Sequence, residues 1–255
     1  MLLRATDLRF GYTAARRVID DVSLDVAEGA AVGILGPNGS GKTTLMRLLS
    51  GALKPQAGVV RLDGEDLRSF RPVALARRIA VVPQETALAF DYTALEIVLM
   101  GRYPHLSAFE VEGPHDLAVA EAALESTGTR ALAERAFRSL SGGEKQRVII
   151  ASALAQTANG QGAGLLLLDE PTASLDLRYQ LEIGALVTRL RQDRGITVLL
   201  STHDLHFAAS VCTEIVLLSN GRVLDRGTPS EILTPTSVGT LYGIDAAVVA
   251  PFVKR

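Results

Sequence analysis

Apolar residues along this chain fall in short runs separated by turn-forming residues. The runs have strand spacing at first and then alternate between strand and helix spacing. Residues 2–8, 22–26 and 31–35 read as strands with turn signals between them. A glycine-rich turn follows, then a helical pattern over 44–49 that Gly51 stops. Residues 58–63 and 79–82 read as two more short strands. The stretch 86–157 changes character and reads as mostly helical, with Ala, Leu and Glu dominating 117–132. From Leu165 the alternation resumes: strand 165–168, helix to Leu190, strand 196–200, helix from Leu205, strands 214–218 and 222–225. Such alternation predicts an α/β protein with a largely parallel sheet covered by helices on both faces. Residues 158–164, Ala-Asn-Gly-Gln-Gly-Ala-Gly, read as a flexible loop before the most apolar strand.

Composition narrows the classes. Of 255 residues, 47% are hydrophobic and 21% charged, an ordinary globular balance with material for a sizeable core. The 26 basic and 28 acidic residues leave a net charge of −2, which argues against a nucleic-acid partner and against a polybasic membrane anchor. Cys212 is the only cysteine, so an internal disulfide is excluded, and its apolar neighbours predict a small buried hydrophobe. The start lacks a signal-peptide pattern, and no apolar run approaches the ~18–20 residues that cross a bilayer. The expectation is a soluble chain whose membrane role, if any, comes through a partner.

Three segments carry chemistry. Gly36-Pro37-Asn38-Gly39-Ser40-Gly41-Lys42-Thr43 lies between a strand and a helix that continues at Thr44, the context a phosphate-binding loop needs. Glycines let successive N–H groups point at one anion, and the helix start adds its positive end. Lys42 can reach the β- and γ-phosphates, and the Thr43 hydroxyl can ligate Mg²⁺. The apolar strand 165–168 ends in Asp169 and Glu170, where ligands collect in open α/β sheets. There an aspartate can hold Mg²⁺ and a glutamate can polarise water. In Leu140-Ser141-Gly142-Gly143-Glu144-Lys145-Gln146-Arg147, Ser141 and Glu144 form a capping box, and a glycine-rich helix start is also an anion site.

With these motifs in order, the chain resembles the nucleotide-binding subunit of ATP-binding cassette transporters over residues 3–242. The resemblance implies a P-loop NTPase core with a mostly parallel sheet, an N-terminal antiparallel β subdomain and a helical, signature-bearing subdomain. It implies one domain over 1–255, with its core at 1–85 and 158–255 and the helical part at 86–157. By the same resemblance, Tyr12 stacks on adenine, Gln84 contacts Mg²⁺ and senses the membrane partner, and residues 36–44 hold the ATP phosphates. Asp169 is associated with Mg²⁺, Glu170 is the catalytic base, and His203 contacts the γ-phosphate. Ser174, Leu175 and Asp176 match the loop that crosses the dimer interface. Glu144 stands where the family commonly has glutamine.

The implied machine is a head-to-tail pair of copies around two ATP. Ser141, Gly142, Gly143 and Glu144 of one copy close on the nucleotide held by the other, with Lys42 and His203 stabilising the transferred phosphoryl. The pair would sit peripherally on the cytoplasmic face of the cell membrane and drive a separate permease, with a substrate-binding protein as indirect partner. The stretch 95–106, with Met100-Gly101-Arg102-Tyr103-Pro104-His105-Leu106, resembles importers of metal chelates: iron siderophores, haem and cobalamin. His105 and His115 lack ligand spacing, so metal binding by this chain is not expected. A cassette for another substrate, or one acting on nucleic acid or ribosomes, remains the alternative.

Overall fold

The chain opens with two antiparallel strands, β1 (Leu3–Phe10) and β2 (Ile19–Val26), in which buried and accessible positions nearly alternate. The computed structural model describes residues 1–13, 16–86, 90–158, 164–173 and 175–253. Strand β2 starts three residues earlier than the apolar pattern predicts, because Asp20 and Asp21, turn formers by type, are held by arginines. Arg17 donates to Asp20 at 2.9 Å, Arg222 also donates to Asp20, and Arg9 donates to Asp21 at 3.1 Å. The Arg17 and Arg222 hydrogen bonds hold the Asp20 carboxyl below its ordinary value.

The elements continue as β3 (Ala31–Leu35), α1 (Lys42–Leu49), β4 (Ala57–Leu62), β5 (Glu65–Asp66), α2 (Pro72–Ala76) and β6 (Ile79–Val82). Next come α3 (Ala94–Met100), α4 (Pro114–Ser126), α5 (Gly142–Thr157), β7 (Leu165–Asp169) and α6 (Leu177–Arg194). The last stretch holds β8 (Thr197–Thr202), α7 (Leu205–Val211), β9 (Glu214–Ser219), β10 (Arg222–Gly227), α8 (Pro229–Ile232), α9 (Pro235–Tyr242) and α10 (Ala246–Val253). The chain divides into two compact units, Met1–Ser69 with Thr197–Arg255, and Phe70–Ile196.

The first unit contains a four-stranded antiparallel sheet ordered β2-β1-β4-β5. It also holds the run β10-β9-β3-β8, in which β3 is parallel to both neighbours and β10 is antiparallel to β9. Strands β3 and β8 are buried at every residue, as strands covered on both faces must be. Gly33 of β3 is small because the sulfur of Cys212 lies 2.7 Å from where a Cβ would stand. Cys212 is buried as expected, and that burial pushes its thiol up to about 12.

The second unit has a parallel pair, β6 and β7, in register from Ile79 opposite Leu165 to Val82 opposite Leu168. Helices α3, α4 and α5 pack on one another, and the end of α5 is fastened by the segment after α3. Arg102, only 2% exposed, donates to Asp116 at 3.0 Å and to the α5 carbonyls of Ala155 at 2.7 Å and Ala158 at 3.3 Å. His105 Nε2 lies 2.8 Å from the Gln156 carbonyl, and Gln156 Nε2 donates to the carbonyls of Ala76 and Ile79. The bonds to Ala76, Ala155 and Gln156 satisfy carbonyls that helix ends leave without partners. Burial opposes ionisation of Asp116, but the Arg102 bond and the Gly113 N–H prevail and hold its carboxyl below the ordinary value. Breaking such a buried pair from one side typically costs about 3–5 kcal/mol. Among the described residues, no helix is long and apolar enough to cross a membrane.

Candidate active site

The first unit presents the glycine-rich loop at the carboxyl end of β3. The loop turns through Gly39 at φ 80° and Gly41 at φ 105°, and Gly41 is the N-cap of α1. A side chain at Gly41 would be strained by that φ and would meet Ile19 Cδ1 and the Val18 carbonyl at 3.0 Å. No side chain caps α1, so its first N–H groups are left to other acceptors. Lys42 is buried and folds back over the loop, its Nζ donating to the carbonyls of Gly36 at 2.9 Å and Pro37 at 3.3 Å. Ser40 Oγ is buried with no hydrogen-bond partner among the described residues. A loop with an uncapped helix start, a buried hydroxyl without a partner among the described residues and a lysine folded over it is suited to an anion.

Two further residues of that unit were expected at a nucleotide. Tyr12 is 57% exposed, meets Phe10 edge-on at 5.1 Å, and its hydroxyl lies 3.4 Å from Thr44 Oγ1. The ring thus stands on the surface beside α1 and is not a core aromatic. His203 is exposed and follows β8, whose Thr202 is the register partner of Leu35 in β3. Gly36 and His203 therefore leave neighbouring parallel strands at the same end, and the Gly36 N–H donates to the Thr202 carbonyl at 3.4 Å. Tyr242 Oη donates to the His203 carbonyl at 3.1 Å, steadying the backbone there.

The second unit repeats this geometry with acidic and amide groups. Gln84 and Glu170 each lie two residues beyond the paired ends Val82 and Leu168, so both emerge from the carboxyl ends of β6 and β7. Asp169 is buried at the end of β7, while Glu170 turns the chain in the left-handed region at φ 47°. Gln84, Glu170 and Gly142 line one hollow of about 200 Å³, together with Lys145, Gln146 and Leu175.

Helix α5 starts at that hollow and is closed on itself. Ser141 Oγ accepts from the Glu144 N–H at 3.3 Å, and Glu144 Oε2 accepts from the Ser141 N–H at 2.8 Å. The bond from the Ser141 N–H, aided by the Ser141 side chain, holds the Glu144 carboxyl below its ordinary value. Gly143 is buried against Tyr179 of α6, whose ring occupies the space a Cβ would need, while Gly142 stays exposed. Asp176 is exposed and caps α6, accepting from the Tyr179 N–H at 3.1 Å. Ser174 and residues 159–163 of the expected loop lie outside the described residues.

The predicted site residues thus form two sets, Tyr12, residues 36–44 and His203 in one unit, and Gln84, residues 141–144, Asp169, Glu170 and Asp176 in the other. Sequence reasoning named Gln146 only as part of its motif and missed Asp116. The pairing of Arg102 with Asp116 has no sequence signal at a spacing of fourteen, and the Gln146 donor shows only as a helix residue one turn past Gly142.

Comparison with known proteins bears on this arrangement. Residues 19–173 match the family model described as ABC transporter. The cobalamin import ATP-binding protein BtuD of Halobacterium salinarum is 42% identical over 235 residues, 92% of this chain. The chain spans 57% of the length of that relative. The hemin import ATP-binding protein HmuV of Pseudomonas entomophila is 43% identical over 91% of this chain and 89% of its own length. Among solved structures, an inward-facing metal-chelate type ABC transporter matches with TM-score 0.82 and 33% identity, over 95% of this chain and 88% of that one. A dimeric ATP-binding cassette in a post-hydrolysis state, bound to ADP and Pi, matches with TM-score 0.75 and 28% identity, over 89% of this chain and 99% of that one. With its α/β fold, its glycine-rich phosphate loop and these relatives, the chain belongs to the ABC transporter family.

Proposed function

We propose that this chain is the ATP-hydrolysing subunit of an importer that takes up a metal chelate such as cobalamin, haem or an iron siderophore. The observation that carries the ATPase reading is the uncapped start of α1, with Lys42 folded over its loop and Ser40 Oγ buried without a partner among the described residues. The import reading rests on relatives named for cobalamin and hemin import. In this reading residues 1–255 work as one cassette, with a nucleotide core at 1–85 and 158–255 and a helical part at 86–157.

Lys42, folded over the loop, turns to the phosphates, where charge-assisted hydrogen bonds to an anion are strong. N–H groups of residues 39–44 point at the same anion, and the Tyr12 ring offers its face to adenine. The Thr43 hydroxyl, the Gln84 amide and the Asp169 carboxylate are oxygen donors, the set that Mg²⁺ prefers. Mg²⁺ held by these residues would supply charge neutralisation for the phosphate groups. Glu170 orients a water and accepts its proton as the water oxygen bonds to the γ-phosphorus and the bond to ADP breaks. His203 and Lys42 donate to the γ-phosphoryl oxygens as their charge redistributes.

Ser141, Gly142 and Gly143 of a second copy, with Glu144 as their cap, complete the ring of donors in a head-to-tail dimer. The capped start of α5 is suited to meeting a nucleotide it does not itself hold. Hydrolysis removes the γ-phosphate contacts and loosens the pair, and that cycle drives a permease from the cytoplasmic face of the membrane. A substrate-binding protein delivers the chelate.

Glu170→Gln is expected to trap an ATP-bound dimer with little turnover, read by gel filtration and phosphate release. Hydrolysis at near wild-type rate would remove Glu170 from this role. Co-purification from native membranes separates the alternatives: a many-helix permease supports import, and ribosomes or nucleic acid without a permease overturn it.

A further inference from the structure

Helix α5 holds a donor that the structure leaves unused. Gln146 Nε2 is buried, with no hydrogen-bond partner among the described residues. Buried polar groups are otherwise paired in folded proteins, so an orphan donor asks for an acceptor that arrives in another state of the molecule. Gln146 lines the hollow that Gln84, Gly142 and Glu170 also line. It lies four residues beyond Gly142, one helical turn along the same face of α5. The neighbouring Arg147 is already tied to Glu182 of α6 at 2.6 Å, which fixes the helix on its other side.

We propose that Gln146 is a positioning residue that lets one ATP site of the dimer tune the other. The inference rests on the roles given above to Glu170 and to residues 141–143. In that reading the start of α5 touches the ATP held by the second copy, while Glu170 of the same chain serves the ATP held by its own. Gln146 belongs to the helix that senses the first nucleotide and to the hollow of the residue that works on the second. When the start of α5 closes on the second copy's nucleotide, the Gln146 amide donates to the Glu170 carboxylate and sets its orientation toward water. Without that nucleotide the donor stays unpaired and Glu170 is less well aimed. The two sites then hydrolyse cooperatively, and no atom of Gln146 touches ATP.

The test is Gln146→Met, which keeps length and bulk and removes the amide. The full-length protein is assayed for phosphate release against ATP concentration. Thermal unfolding is measured alongside, and ATP-driven dimerisation is measured in the Glu170→Gln background. The wild type is expected to show a Hill coefficient above 1, and the variant one near 1. At saturating ATP the variant's rate should be lower by a factor in the range of about 5- to 150-fold typical of coupling between sites. Unfolding temperature and ATP-driven dimerisation are expected to stay as in the parent. A variant with wild-type rate and cooperativity overturns the proposal, as does a wild-type Hill coefficient of 1. A variant that no longer folds or dimerises also overturns it, since Gln146 would then be structural. If Glu170→Gln hydrolyses ATP normally, the reading of Glu170 itself falls, an outcome distinct from failure at Gln146.

Discussion

Helices α1 and α5 both begin in glycine-rich loops, yet their first turns are finished in opposite ways. At α1 the N-cap is Gly41, with no side chain to accept from the helix, and Lys42 is laid over carbonyls of its own loop. At α5 the N-cap is Ser141, and Ser141 with Glu144 answers two of the open N–H groups within the chain. An uncapped start is costly unless something else bonds it, so α1 is built to be completed by a ligand. A capped start is stable alone, and what it can offer is the exposed Gly142 and the dipole behind it. The glycines differ for the same reason. Gly41 is required by its own backbone angle, and Gly143 by the ring of Tyr179 packed against it.

The largest effect that would test this contrast is expected from Gly41→Ala. Holding a non-glycine residue at φ 105° costs about 1–3 kcal/mol, equivalent to about 5- to 150-fold in ATP affinity measured by calorimetry. Truncating Ile19 as well should not restore binding, because the strain lies in the backbone. Recovery in the double variant would show that crowding alone selects this glycine. Ser141→Ala should be milder. Loss of an N-cap costs about 1 kcal/mol, a fall of about 2–4 °C in unfolding temperature for a chain of this size. An unchanged unfolding temperature would mean that the α5 cap contributes nothing and that the two starts are alike. The smallest effect belongs to Glu144→Gln, expected within about 0.5 kcal/mol at neutral pH because glutamine also completes a capping box. Its mark is the pH dependence. Glu144 is held below its ordinary value, so its contribution is full above the unfolded carboxylate range and is lost as pH falls through the lowered one. The glutamine variant should lack that component of acid destabilisation in unfolding curves between neutral and low pH.

Much of this contrast was legible in the sequence, because caps and glycine-rich loops are local. The phosphate loop, the capping box at Ser141 and the carboxylates ending strand 165–168 follow from a few adjacent residues. The fully buried strands β3, β7 and β8 were legible from the short apolar runs at 31–35, 165–168 and 198–200. Much of what escaped depends on side-chain pairings that residue type alone does not announce. Strand β2 was read short because the arginines that retain Asp20 and Asp21 come from Arg9, Arg17 and Arg222. The helices after β10 were unread, although Thr228-Pro229 and Thr234-Pro235 each place an N-cap residue before a proline at the first helical position. The buried pair of Arg102 with Asp116 could not be read at all, since nothing in either residue's neighbourhood announces the other.

That pair and its companions grip only the last turn of α5, through the carbonyls of Ala155, Gln156 and Ala158. The helix has 16 residues, so its start lies roughly 24 Å from this anchorage at about 1.5 Å of rise per residue. Near its start the helix is held a second time, by Arg147 to Glu182 of α6 and by Gly143 against the Tyr179 ring. It is therefore a strut clamped near both ends, and a displacement at one clamp reaches Gly142 only if α6 moves with it. Tyr103, 56% exposed between the anchoring Arg102 and His105, stands at the accessible clamp.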